Sequence, residues 1–357
     1  MTGRRRHPAP AKGDGLLRSL FGTWYNALIT LALLYLAWRA IPPLVDWFVL
    51  DAVWGDATAD ECRAAAGACW AFIREKARFI LFGFYPYDQQ WRPFLAVALM
   101  VGLVFVSASR RYWTPWLFVL WPAAIGLALA VMAGGFAGLE RVPTTGWGGL
   151  PLTLMLALVG SALAFPFGMV LALGRTSDLP LIRWICVGYI ELVRGVPLIT
   201  VLFMASVMLP LFMPDGVEID AVLRALAGIS LFIAAYFAEV IRGGLQAVPK
   251  GQFEAAHALG LGYWAGMCLV VLPQALRIAV PPLTNTLIGL IKDSSLVAII
   301  GLVDLLGASK RSLSDPAWLG FYREAYVFVA LVYFVICFSV SRYSRSVEAM
   351  LSAGRQR

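Results

Sequence analysis

The sequence predicts an all-α polytopic membrane protein with about eight transmembrane helices and both termini on the cytoplasmic side. Three observations carry this. Hydrophobic residues make up 60% of the 357 residues and charged ones 14%, with a mean hydropathy of +0.77, unlike a soluble chain of this length. Long stretches lack Asp, Glu, Lys and Arg altogether. The basic residues between them fall on alternate turns.

A hydrocarbon core about 30 Å thick needs roughly 20 apolar residues per spanning helix. Ser19 to Trp38, Pro93 to Ser109, Tyr112 to Leu139, Val142 to Gly174, Gly195 to Pro214 and Ala325 to Ser341 meet the demand without an ionisable residue of those four types. Two further spans are interrupted: Ala221 to Val240 by Arg224 and Glu239, and Leu276 to Ile291 by Arg277, Pro281 and Pro282. Eight spans put Arg4, Arg5, Arg6, Lys12 and Arg18, then Arg110 and Arg111, Arg175 and Arg183, Arg242 and Lys250, and Arg342 and Arg345 on one side. By the excess of basic residues in cytoplasmic loops, that side is the cytoplasm. Opposite lie Asp51 to Gln90, Gly134 to Gly148 and the turn with Asp215, Glu218 and Asp220. The net charge of +8 is thus orientation signal, and no nucleic-acid partner is expected. The first span is too long and too far from the terminus for a removed signal peptide and is expected to stay as an anchor.

The chain reads as a basic tail (1–18), three helices with a long outer loop at 51–90 (19–140), a five-span segment (141–345) and a short tail (346–357). Within the outer loop, Ala68 to Phe84 is aromatic and apolar with Arg74, Glu75, Lys76 and Arg78 together; it reads as an interfacial helix or as a docking face for an external partner. Cys62 and Cys69 fall in the same loop, in a compartment that permits disulfides. On an unbroken helix they would stand about 10.5 Å apart, so a bridge requires a turn near Gly67; two unpaired thiols are the alternative. Cys186, Cys268 and Cys337 sit in or beside apolar stretches as small hydrophobes without metal-ligand spacing.

Bond chemistry has no candidates. The two histidines, His7 and His257, have no partner constellation, no residues are expected to ligate a metal, and there is no phosphate-binding loop with its lysine. Polar residues within spans are instead the candidates for a solute pathway. Glu191 and Arg194, three apart, can pair with each other, and Glu239 and Arg242 repeat the spacing; bracing of helices is the competing reading. Lys292-Asp293-Ser294-Ser295 follows an apolar helix and is read as an unwound stretch lining a cavity, with Asn285 about two turns earlier facing the same space. The alternative for Asp293 is a helix end at the outer surface. Pro197, Pro281 and Pro282 loosen helix hydrogen bonding.

The cytoplasmic turn from Pro249 to Gly262 predicts a short helix outside the bilayer, starting at Pro249 and ending at Gly260. Ala255, Ala256 and Ala258 keep it narrow enough to enter a groove on another protein, and Glu254 offers a charge there.

Glu254, Ala255, Ala256, Gly260, Val270, Leu272 and Pro273 resemble the EAA loop of the integral membrane subunits of binding-protein-dependent ABC importers, with Val270 in place of the usual Ile. Tyr189 to Leu198, Ala235 to Gly244 and Ile291 to Leu296 are similar to segments of the polar amino acid permease branch, and Pro42 to Trp47, Gly67 to Ile73 and Phe82 to Pro86 to the M-type permease of general L-amino acid importers. The resemblance implies a five-helix type I importer core with a coupling loop at 249–273 that docks an ATPase through Glu254, Ala255, Ala256 and Gly260. It implies as partners a second homologous permease or a second copy of this chain, two ATPase subunits and a periplasmic amino-acid-binding protein. No cofactor is expected on this chain, ATP and Mg being used by the partner. An ion-coupled secondary transporter is the competing reading; it needs no coupling helix.

Overall fold

The computed structural model describes residues 15–108, 116–214, 216 and 218–353. Arg4, Arg5, Arg6, His7, Lys12, Arg110, Arg111 and Asp215 lie outside the described residues, so part of the predicted charge pattern is not described. The remainder falls into two compact units, one up to Arg74 and one from Glu75.

In the first unit, α1 (Gly15–Phe21) leads into α2 (Trp24–Val45), prolonged by a π-turn over Asp46–Leu50. No residue of α2 is buried. Its 22 residues extend about 33 Å, enough to cross a bilayer. The outer segment is ordered by local chemistry. A capping box opens α3 (Ala59–Ala64): the Glu61 N–H donates to Thr58 Oγ1 and the Thr58 N–H to Glu61 Oε2. The chain turns extended at Ala65, and Gly67 passes so close to Asp51 that a Cβ there would stand 2.2 Å from its carbonyl carbon. This turn brings the Cα atoms of Cys62 and Cys69 to 5.5 Å, and the two are joined in a disulfide. Trp70 donates its indole N–H to the Phe48 carbonyl at 3.0 Å, while Arg74 pairs with Asp56 at 2.9 Å.

A helix α4 spans Trp70–Phe82. In the second unit α5 (Trp91–Ala108) and α6 (Leu117–Ala133) follow. The fully buried Arg92 holds the end of α6: its guanidinium donates to the carbonyls of Val131 (2.8 Å), Met132 (3.1 Å) and Glu140 (2.9 Å), and to Gln89. Carbonyls at a helix C-terminus have no partner within the helix, and a cation there suits the dipole. Exchanging Arg92 for Leu strands them in an apolar surrounding. We expect a loss of roughly 3 kcal/mol or more, seen as a clear drop in Tm by tryptophan fluorescence in detergent.

Next come α7 (Gly149–Arg175), α8 (Pro180–Gly195), α9 (Leu198–Leu211), α10 (Ala221–Ala247), α11 (Lys250–Ala258), α12 (Tyr263–Ile300), α13 (Leu305–Ser312) and α14 (Tyr322–Ala353). The central α10 packs on α7 and α12 through glycines, since a Cβ on Gly160 would meet Ile229 at 2.7 Å and one on Gly244 the Ala275 carbonyl oxygen at 2.5 Å. Small residues let membrane helices approach closely. Met100, Met132, Leu152, Leu156 and Ile229 belong to one buried core, so α5 and α6 pack with the five-span segment.

Six described helices are long and apolar enough to cross a membrane; α8 and α9 form a bent pair, and α6 is shorter. Several predicted boundaries move. Val142 to Gly148 is loop and 3-10 turn, the helix starting at Gly149, because Pro143 and the glycines disfavour helix there. Gly195 to Pro214 is not one straight span: α8 and α9 meet at 102°. Val196 is extended (φ −108°, ψ 138°), as a residue before proline prefers. Pro281 and Pro282 sit inside a continuous α12 rather than breaking it. Lys292 to Ser295 is not unwound, since the helix passes at Ser294 into a 3-10 turn over Ser294–Ile300.

Residues of the turns predicted to lie outside meet one another and the segment after α12 at one end of the unit. Thr144 donates to Asp220, Gln89 to Glu140 at 2.9 Å, and Lys76 to Asp315 at 2.7 Å. Hydrogen bonds from Lys76 and the Ala317 N–H hold the Asp315 carboxyl below its usual range. Residues Gly148 and Gly149 form parallel bridges with Val303 and Asp304 there.

Candidate functional site

The break between α8 and α9 opens a cavity of about 740 Å³. Arg194, Val196 and Pro197 line it from the break, Tyr236 from α10, and Asn285 and Asp293 from α12. Asn285, Gly289 and Asp293 are four residues apart in turn, which places them on one face of the helix. Leu198, Phe232, Ile233 and Leu296 add apolar surface, and the polar groups on its walls are one guanidinium, one carboxylate, one amide and the hydroxyls of Tyr236 and Thr286.

Beneath it α7, α8 and α10 are tied by charge. Glu239 accepts from Arg242 at 2.9 and 3.1 Å and lies 3.2 Å from Arg175 and 3.4 Å from Arg194. Arg175 also pairs with Glu191 at 2.9 Å. The predicted pairing within Glu191–Arg194 is therefore replaced by pairs to other helices; Glu239–Arg242 does pair along its own helix. Arg194 further stands over the Tyr236 ring, 5.6 Å from its centroid.

The structure brings together only some of the pathway candidates. Arg194, Asn285 and Asp293 share the cavity; Glu191, Glu239, Ser294 and Ser295 are not among its lining residues. Ser294 is fully buried and donates to the Ile291 carbonyl at 2.8 Å, which turns its hydroxyl back on its own chain. Tyr236, Thr286 and Gly289 line the cavity without having been singled out. Their spacing from Asn285 and Asp293 is the signal that could have found Thr286 and Gly289.

Glu254, Ala255 and Ala256 lie on α11, after Pro249 at its N-cap. The helix ends with Gly260 at φ +74°. The Leu261 N–H bonds to the Ala256 carbonyl (3.1 Å) and the Gly260 N–H to that of His257 (2.9 Å), the two bonds of a Schellman motif. The four-residue interval from Ala256 to Gly260 is thus the geometry of this cap. Ala256 is buried against Gly266, whereas Glu254 and Ala255 face outward. Gln274 on α12 donates to Gln252 at 2.9 Å and links α11 to the helix that carries Asn285 and Asp293.

Residues 164–352 match the family of binding-protein-dependent transport system inner membrane components. The chain belongs to that family. It is 51% identical over 346 residues to the inner membrane amino-acid ABC transporter permease protein YhdY of Escherichia coli (strain K12), covering 95% of this chain and 92% of the relative. It is 38% identical to the glutamate/glutamine/aspartate/asparagine transport system permease protein BztC of Rhodobacter capsulatus, covering 96% and 95%. A crystal structure of an amino acid ABC transporter with histidines superposes with a TM-score of 0.51 at 33% identity, over 57% of this chain and 92% of that one. This member is a multi-pass inner-membrane transport subunit that works with ATPase and binding-protein partners. The ion-coupled reading is set aside.

Proposed function

We propose that this chain is the permease of an ATP-driven importer of L-amino acids, with the cavity at the α8–α9 break as its solute pathway and α11 as its coupling helix. The observation that carries the reading is the pairing of Asn285 and Asp293 on one cavity wall. On this wall of the cavity a carboxylate and an amide suit the ammonium group of an amino acid. Relatives named as amino-acid permeases support the solute class.

Glu254 on the outward face of α11 meets a groove of the ATPase, and the link through Gln252 and Gln274 carries movement of α11 to α12. Hydrolysis of ATP with Mg takes place on two ATPase subunits, and this chain holds no cofactor. A second permease, homologous or identical, completes the pathway, and a periplasmic binding protein selects the amino acid. The test is uptake of radiolabelled L-amino acids by vesicles containing all subunits. Accumulation requires ATP and the binding protein together; accumulation without either refutes the reading.

A further inference from the structure

The charge cluster beneath the cavity is unbalanced. Among the described residues, the ion pairs of this cluster join Arg175, Arg194 and Arg242 to Glu191 and Glu239, three positive charges against two negative. Ionised groups at membrane depth favour a partner of opposite charge, so a cluster with one cation in excess attracts an anion. Of the three guanidiniums, only that of Arg194 lines the cavity.

Arg194 is also the least committed of the three. Arg242 holds both oxygens of Glu239, at 2.9 and 3.1 Å, and Arg175 bridges Glu239 at 3.2 Å and Glu191 at 2.9 Å. The contact of Arg194 with Glu239 is the longest, at 3.4 Å. Withdrawing Arg194 leaves Glu239 still paired twice. The guanidinium sits over the Tyr236 ring, whose quadrupole favours a cation, and a planar fork of donors matches a carboxylate.

We propose that Arg194 binds the α-carboxylate of the transported amino acid, and that Glu239 is its resting partner when the cavity is empty. This rests on the reading of the cavity as an amino-acid pathway. The amino acid then lies with its ammonium toward Asp293 and its carboxylate toward the α8–α9 break. Arg194 is one residue from the end of α8, so its exchange of partners changes how α8 is held to α10. Glu191 and Arg242 take no part in binding; they keep Arg175 and Glu239 in place.

The test is direct binding to the purified complex without the binding protein, which removes the specificity of the latter. Tritiated L-glutamine, L-glutamate and L-arginine are displaced by the same amino acid or by its α-amide, which lacks the carboxylate charge. The wild type prefers the acid over the amide by about tenfold or more, as expected of a desolvated charge pair. Arg194→Gln abolishes this preference, and Arg194→Lys restores part of it. Arg242→Gln disturbs the same cluster away from the cavity and leaves the preference intact, which a merely structural role of Arg194 does not predict. Size-exclusion profiles show whether each variant assembles; should Arg194→Gln not assemble, a preference in Arg194→Lys equal to the wild type overturns the proposal. An undiminished preference in Arg194→Gln refutes the role of Arg194 alone. A wild-type complex that binds none of the three amino acids refutes the reading of the cavity as well.

Discussion

Exchange of Glu254 for Lys is expected to abolish ATP-dependent uptake while the membrane helices remain folded. Glu254 is exposed on α11, so the helix itself tolerates Lys. Its cap at Gly260 and its packing through Ala256 are untouched. Under the proposed coupling role the effect falls on the docked ATPase, where reversal of a charge costs about 2–5 kcal/mol, more than tenfold in occupancy. The measurement is uptake in vesicles together with co-purification of the ATPase. An unchanged uptake rate would remove α11 from coupling.

The second large effect is expected from Asp293→Asn. A hydrogen bond to a charged group contributes about 1.5–3 kcal/mol, so loss of this carboxylate weakens amino-acid binding by roughly tenfold to a hundredfold. The substitution preserves shape, and Asp293 has no side-chain hydrogen bond described that a fold would miss. Tm is therefore expected to stay within a degree or so of the wild type, while binding to the isolated complex falls. Equal binding by Asp293→Asn and wild type would return Asp293 to a helix-ending role.

What the sequence made legible follows the range of the interactions involved. The ends of α11 could be read because Pro249 and Gly260 act on their own backbone. Asn285 and Asp293 could be placed together because a helix fixes which residues share a face. The requirement for a turn near Gly67 came from helix geometry alone, and the chain does turn there, where Asp51 leaves no room for a side chain. Interactions between distant segments were not legible. Spacing of three suggested that Glu191 and Arg194 pair, but spacing says nothing of the helices alongside, which supply Arg175 and Glu239. Arg92 gave no sign of its role, because the carbonyls it holds are 39 to 48 residues away. The bend at Val196 was foreshadowed by Pro197, but its 102° angle depends on packing against α7 and α10.

The reading of the cavity as the pathway is most directly tested at Gly289, which lines it and where an added Cβ meets no atom within 4 Å. Gly289→Cys is introduced after Cys186, Cys268 and Cys337 are replaced by Ser, with the Cys62–Cys69 disulfide left in place. The rate of reaction with a charged, water-soluble maleimide is then followed in the assembled complex with and without L-amino acids. The expected result is ready labelling that L-amino acids slow in proportion to their occupancy. A thiol that does not react, or whose reaction no L-amino acid alters, would contradict the assignment of this cavity as the solute pathway.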